Sequence, residues 1–197
     1  MPDLATRTEH EEEVLLLILL YLREIETALE SGLTPNWLNW TAQLGRELAP
    51  LLAATYQEAA EQLVGEHDGR LRDASDRARQ WASQRAGAIA GSMATTTREA
   101  VATEGEVAEW HFSQARAESV AITETTEAIS QGEHYGAAEL AAIAILLIPV
   151  WSTAEDDLVC PICAPLNRER QNVWQGLFPT GPPGHVNCRC GLQWVRI

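Results

Sequence analysis

Apolar residues recur at helical spacing through most of the first 140 positions, and the pattern changes character only beyond them. Val14, Ile18, Tyr21, Leu22, Ile25 and Leu29 repeat every three to four residues, which predicts a first helix ending at Ser31-Gly32. Thr8-Glu9-His10-Glu11 reads as a capping box at its start, with Glu9, Glu11, Glu12 and Glu13 suited to a helix N-terminus. Residues 15–20 are apolar on nearly every face. Such a segment needs neighbours on several sides, so it is either a central core helix or a helix that packs on another chain.

Thr34-Pro35 predicts the start of a second helix, threonine as cap and proline in the first turn. Trp37, Leu38, Leu44, Leu48, Leu51, Leu52 and Tyr56 line it to about Val64-Gly65, and Pro50 is expected to kink or split it. A third helix is expected over residues 70–102. It holds Arg70, Arg72, Arg77, Arg79 and Arg85, a face for DNA or an acidic partner unless Asp73 and Asp76 neutralise it along the helix. Residues 86–97 are rich in Ala, Gly, Ser and Thr, which suits close packing or mobility. A fourth helix is expected over residues 106–142, with a break invited by Gly132 and Gly136.

Periodicity then shortens. Residues 149–153 read as an edge strand punctuated by Pro149, Val173-Trp174 as a strand within a loop, and residues 192–197 as a closing strand. Gly181-Pro-Pro-Gly184 dictates an irregular path. No internal repeat is visible. The expectation is a mainly α protein: an elongated helical region over residues 1–104, then a small α+β knuckle module over residues 105–197.

All four cysteines fall within that module, as Cys160-Pro-Ile-Cys163 and Cys188-Arg-Cys190. A Cys-x-x-Cys turn places two thiolates on one side of a tight knuckle. His185-x-x-Cys188 repeats the spacing with an imidazole, and mixed Cys/His tetrahedra are ordinary structural zinc sites. The competing reading is four unrelated thiols or two disulfides. Five donors, Cys160, Cys163, His185, Cys188 and Cys190, compete for four places. His185 with Cys188 mirrors the first knuckle, while Cys190 can replace Cys188 because alternate residues of a strand point the same way.

Charge narrows the function classes. The chain carries −14, and every basic residue is arginine. So acidic a protein is unsuited to coating nucleic acid without sequence preference. No basic-then-apolar leader opens the sequence, and the apolar runs at residues 14–22 and 140–151 fall short of the roughly 20 residues that span a bilayer. A soluble intracellular protein is expected, where metal-bound thiolates are favoured over disulfides. Two enzyme classes fit poorly. A zinc nuclease of the His-Asn-His type needs further histidines beside the knuckles, whereas His185 is alone in the last sixty residues. A zinc deaminase carries its proline before the Cys-x-x-Cys, and here it lies within. A closed Cys/His set leaves no open coordination position. The non-enzyme alternative is a zinc-knuckle adaptor that binds a protein partner outside a virion.

Four pieces in order, Arg116-Ala-Glu118 to Ile122-Thr-Glu124, Trp151 to Asp156, Cys160-Pro-Ile-Cys163 and Pro183-Gly-His185-Val-Asn187-Cys188-Arg189-Cys190, resemble the phage head-morphogenesis family. These are the minor head proteins typified by the F protein of phage Mu. The resemblance covers about residues 115–195 and departs at Val186, where the family has proline. It implies a minor capsid protein of few copies at the portal vertex, acting in head assembly and in DNA packaging or delivery. It implies a virion location, in the head interior or at the portal, with the host cytoplasm during assembly. The implied partners are the portal protein, then the major capsid or scaffolding protein, packaged DNA and other copies of the chain, with no membrane. It also implies a metal-stabilised tail docked on a long helix. In that arrangement Glu124 and Asp156 would support His185 or pair with Arg116 or Arg189, with Glu118 and Asn187 in the same motif.

Overall fold

The computed structural model describes residues 4–67, 69, 71, 74–104, 109–153 and 159–197. Four long helices carry most of the chain: α1 (Leu4–Glu30), α2 (Trp37–Glu66), α3 (Ser75–Glu104) and α4 (Gln114–Ala141), with a 3-10 turn, Glu109–Phe112, before α4. Strands β1 (Leu147–Ser152) and β2 (Gly191–Arg196) form one antiparallel pair, Pro149 opposite Trp194 and Trp151 opposite Leu192. Between them lie a 3-10 turn, Ala164–Leu166, and the single-turn helix α5 (Gln171–Trp174). The mainly α fold with a small C-terminal module is therefore as the sequence leads one to expect.

Several local expectations are corrected. Helix α1 begins before Thr8, so no capping box forms there; Glu11 instead accepts from Arg7 Nε at 3.0 Å. Gly32 does end the helix, at φ +70°, and Leu33 N–H reaches back to Ala28 O at 2.8 Å. The cap of α2 is Asn36, whose side chain accepts from Asn39 N–H at 3.1 Å, and Pro50 sits inside an unbroken helix. Pro50 removes one donor from a helix whose other turns are fixed by Leu44, Leu48 and Leu52, all fully buried. Val173-Trp174 is helical, because the turn lets Trp174 fill the module's interior.

Helix α4 also runs unbroken through Gly132 and Gly136, and packing explains it. A Cβ on Gly132 would lie 2.1 Å from Tyr56 O, and one on Gly136 would lie 2.9 Å from Ala60 O. The two glycines, one turn apart, let α4 rest backbone to backbone on α2.

The main core joins α1, α2, α3 and α4 through Ile18, Leu22, Leu48, Ala86, Ala90 and Ala121 among others. The small residues of α3 are thus close-packed: Ala82, Ala86 and Ala90 are fully buried. Helix α1 lies against α4 and α2 at the side of this bundle. Of the arginine-rich stretch, Arg77 stacks on Tyr135, Arg79 pairs with Asp76, and Arg85 pairs with Glu124; Arg70 and Arg72 lie outside the described residues. Among the described residues no helix is long and apolar enough to cross a membrane. A second core, Trp151, Leu166, Trp174 and Leu192 with three cysteines, belongs to the C-terminal module. Trp194 touches both this core and a third cluster of Leu63, Val64 and Leu140 at the bundle's end.

Candidate metal centre

The two knuckles are built alike. Cys163 N–H donates to Cys160 O at 3.1 Å, and Cys188 N–H donates to His185 O at 3.2 Å. Each turn places its first and fourth side chains on one side. Asn187 closes the second turn at φ +63°, a conformation that asparagine tolerates better than most residues. In the first turn Cys163 N–H also approaches Cys160 Sγ at 3.4 Å.

The turns face each other. Cys160 Sγ lies 2.8 Å from His185 Nε2, and Cys163 Sγ lies 3.8 Å from Cys188 Sγ. Two compact triads result, Cys160–Cys163–His185 and Cys163–Cys188–Cys190, each with its donor atoms within 4.8 Å of one another and sharing Cys163. The five donors thus form a compact potential metal site. All four cysteines are free thiols in this arrangement. Sulfur ligands about 2.3 Å from a tetrahedral ion stand about 3.8 Å apart, so the Cys163–Cys188 separation matches such an edge.

His185 is set up as a nitrogen ligand. Its Nδ1 lies 2.6 Å from Val186 O, an acceptor that holds the ring proton at Nδ1 and leaves the Nε2 lone pair toward Cys160. The group that supports this ring is thus a backbone carbonyl and not the Glu124 carboxylate.

Electrostatics within the thiol cluster are uneven. Hydrogen bonds from the Cys190 thiol, and from the backbone at Gly184 and Cys190, pull Cys188 down to about 5 against burial. Burial and the Cys188 charge push Cys163 up to about 12. Donation to Cys188, then burial, pushes Cys190 up as well. One thiolate therefore holds its neighbours protonated, and a divalent cation is what would allow several to ionise together. Trp151 supplies a second sign. Its indole Nε1 is buried without a hydrogen-bond partner, close enough to Cys190 to oppose part of the rise in that thiol's pKa. Such a donor suits a sulfur-rich centre.

The centre is fastened to α4 by threonines. Thr126 Oγ1 donates to Cys188 O at 2.7 Å, and Asn187 N–H donates to Thr123 Oγ1 at 3.1 Å. Helix α1 completes the clamp: Arg7 donates to Thr126 Oγ1 and to Arg189 O, the latter at 3.0 Å, while Arg189 pairs with Glu11 at 3.1 Å. Farther along α4, Trp194 Nε1 donates to Glu133 at 3.2 Å, and His134 meets Thr180 O at 3.1 Å. A cleft of about 400 Å3 lies between α4 and the knuckles, walled by Glu118, Ser119, Ile122, Asn187 and Arg189 beside the cysteines.

The remaining motif residues take roles other than those expected. Glu124 does not support His185 or pair with Arg116; it holds Arg85 of α3 through two bonds, 2.6 and 3.0 Å long. Arg116 is buried among hydroxyls and carbonyls, donating to Thr97, Thr96 and His111 O, which ties the start of α4 to α3. Burial lowers its pKa. Arg189 pairs with Glu11 instead of Glu124. Glu118 accepts from Gln114 at 2.7 Å on the cleft wall, and Asn187 contributes its backbone. Asp156 lies outside the described residues. Arg7, Glu11, Thr123, Thr126 and Trp151 were not foreseen in these roles. The one available signal was a pair of threonines, weak helix formers, midway along a helix.

Comparison with protein-family models, curated proteins and solved structures finds no match to this chain.

Proposed function

We propose that the chain is a structural minor head protein of a phage, acting without catalysis at the portal vertex. Its C-terminal module would be held by one zinc ion on Cys160, Cys163, His185 and Cys188, with Cys190 donating to the Cys188 sulfur. The observation that carries the metal reading is the convergence of two like-built knuckles on one point, sulfur to sulfur 3.8 Å. Thiolate and imidazole donors together select zinc over the hard cations. Bound zinc supplies folding free energy that so small a second core lacks. The protein's residues do the rest: the threonines of α4 fix where the knuckles sit, and Val186 O fixes the histidine ring. The phage reading rests on the resemblance in four ordered motifs, together with a knuckle fastened to the helix that carries the first of them.

Two measurements test it. Elemental mass spectrometry should find about one zinc per chain, lost in Cys160→Ser and in Cys188→Ser but kept in Cys190→Ser. Metal-free wild type, its cysteines free or joined in disulfides, would refute the centre. Co-expression with the portal protein of the same phage should yield a complex with the portal ring; separate elution from an intact ring would refute the minor-head reading.

A further inference from the structure

Helix α1 carries more leucine than the bundle uses. Residues 15–20 are apolar throughout, and α1 lies against α4 and α2 at the side of the bundle. Val14, Ile18, Tyr21, Leu22 and Ile25 are buried, whereas Leu16 is 66% exposed and Leu20 is 64% exposed. At about 100° per residue, Leu16 and Leu20 share the outer face, flanked by the half-buried Leu17 and Leu19. An adjacent leucine patch on an outer helix face marks an interaction surface more often than a lone exposed leucine does.

The charge around the patch states what would cover it. Glu9, Glu12 and Glu13 lie exposed on the same face toward the N-terminus, with Arg23 and Glu24 on the other side. Four carboxylates against one guanidinium leave the rim at −3. A second copy of this chain offers the same acidic rim, carries −14 overall and has no lysine. Self-pairing would set like charges together. An anionic membrane surface is disfavoured for the same reason.

We propose that the outer face of α1 is a docking surface for an amphipathic helix of another protein, one whose apolar stripe is bordered by lysine or arginine. The leucines supply the apolar seam, and the glutamates supply orientation and salt-sensitive attraction, as in helix-to-helix recognition generally. This surface is separate from the metal centre and does not depend on the zinc reading.

Fluorescence anisotropy tests it, using a dye-labelled synthetic helix of about 18 residues with leucine on one face and lysine on the other. The same peptide with glutamate in place of lysine is the control. The full-length protein should bind the lysine peptide saturably, with affinity falling roughly tenfold or more in Leu16→Gln/Leu20→Gln and in Glu12→Gln/Glu13→Gln. The glutamate peptide should not bind. All four positions are exposed, and unchanged circular dichroism and melting temperature would show that the variants fold. Equal binding by the leucine variant would mean mere attraction to an acidic protein and would overturn the proposal. So would sedimentation as a dimer that Leu16→Gln/Leu20→Gln dissociates, because a second copy would then cover the face.

Discussion

Replacing Gly132 with alanine is the sharpest test of how α4 is held. In an isolated helix the change is favourable by about 1 kcal/mol. Here the new methyl would stand more than 1 Å inside the 3.4 Å at which ordinary contact begins with Tyr56 O, and 0.5 Å inside it with Tyr56 C. The obstacle is backbone, so no rotamer change relieves it. Helix α2 must back away by about 1 Å, and a gap of that size forfeits a quarter to a half of each dispersion contact along the seam. Tyr56, Ala59, Ala60 and Leu63 are the buried α2 residues in that region. Overpacking of this kind costs about 3 kcal/mol, so the net loss is about 2 kcal/mol. For a chain of this size the melting temperature should fall by about 4–8 °C. Gly91→Ala is the internal control, since a Cβ there meets nothing within 4 Å and should stabilise by about 0.5–1 kcal/mol. Gly136→Ala should fall between the two, its methyl reaching 2.9 Å from Ala60 O. Denaturant melts of the three variants give the ranking. If Gly132→Ala proved as stable as wild type, the close approach of α4 to α2 would be wrong.

Glu133 makes stability depend on pH. Its carboxyl is buried, and desolvation raises its pKa from 4.5 to about 7, with Trp194 and Arg7 opposing and Glu66 assisting. The folded state therefore retains a proton that the unfolded chain releases, so this contribution is full below about pH 4.5 and is lost as pH rises through 7. Glu133→Gln keeps an acceptor for Trp194 and should gain about 3 kcal/mol over wild type near pH 8, with little difference near pH 4; parallel stability curves would refute it. Thr126→Val removes the donor to Cys188 O and an acceptor for Arg7, and should cost about 1–3 kcal/mol. Amide exchange should then quicken around residues 187–190 before it does in the bundle. Glu124→Ala leaves Arg85 without its carboxylate and should cost about 1.5–3 kcal/mol, recovered in part by Arg85→Met/Glu124→Met; calorimetry of both variants checks this.

What the sequence revealed, it revealed through spacing. The helices were legible because Leu44, Leu48 and Leu52 repeat at the helical period, and the knuckles because two x-x spacings stand side by side. What stayed hidden depends on a neighbour. Gly132 and Gly136 have the same local propensity whether they break a helix or admit another one, and only the Tyr56 carbonyl decides. Pro50 was overruled because the fully buried leucines around it hold the helix together. The docking of the knuckles was unreadable for a different reason. Thr126 bonds to the carbonyl of Cys188 and Arg7 to that of Arg189, and a backbone acceptor leaves no trace in the residue type. Charge and proximity in sequence match Glu124 with Arg116, whereas Glu124 meets Arg85 of α3 and Arg116 meets Thr96 and Thr97 of α3 and the carbonyl of His111.

The clamp between α1 and the second knuckle joins residues made far apart in time. Arg7 and Arg189 are separated by 182 positions, and Glu11 and Arg189 by 178. While the chain is being synthesised, α1, α2 and α3 can already associate, but the carbonyl and guanidinium that lock α1 down do not yet exist. Contacts of such high separation form late. Throughout elongation the leucines of α1 are therefore held by the bundle alone, and a nascent chain stalled before residue 184 would expose a looser first helix to chaperone or protease than the finished protein does.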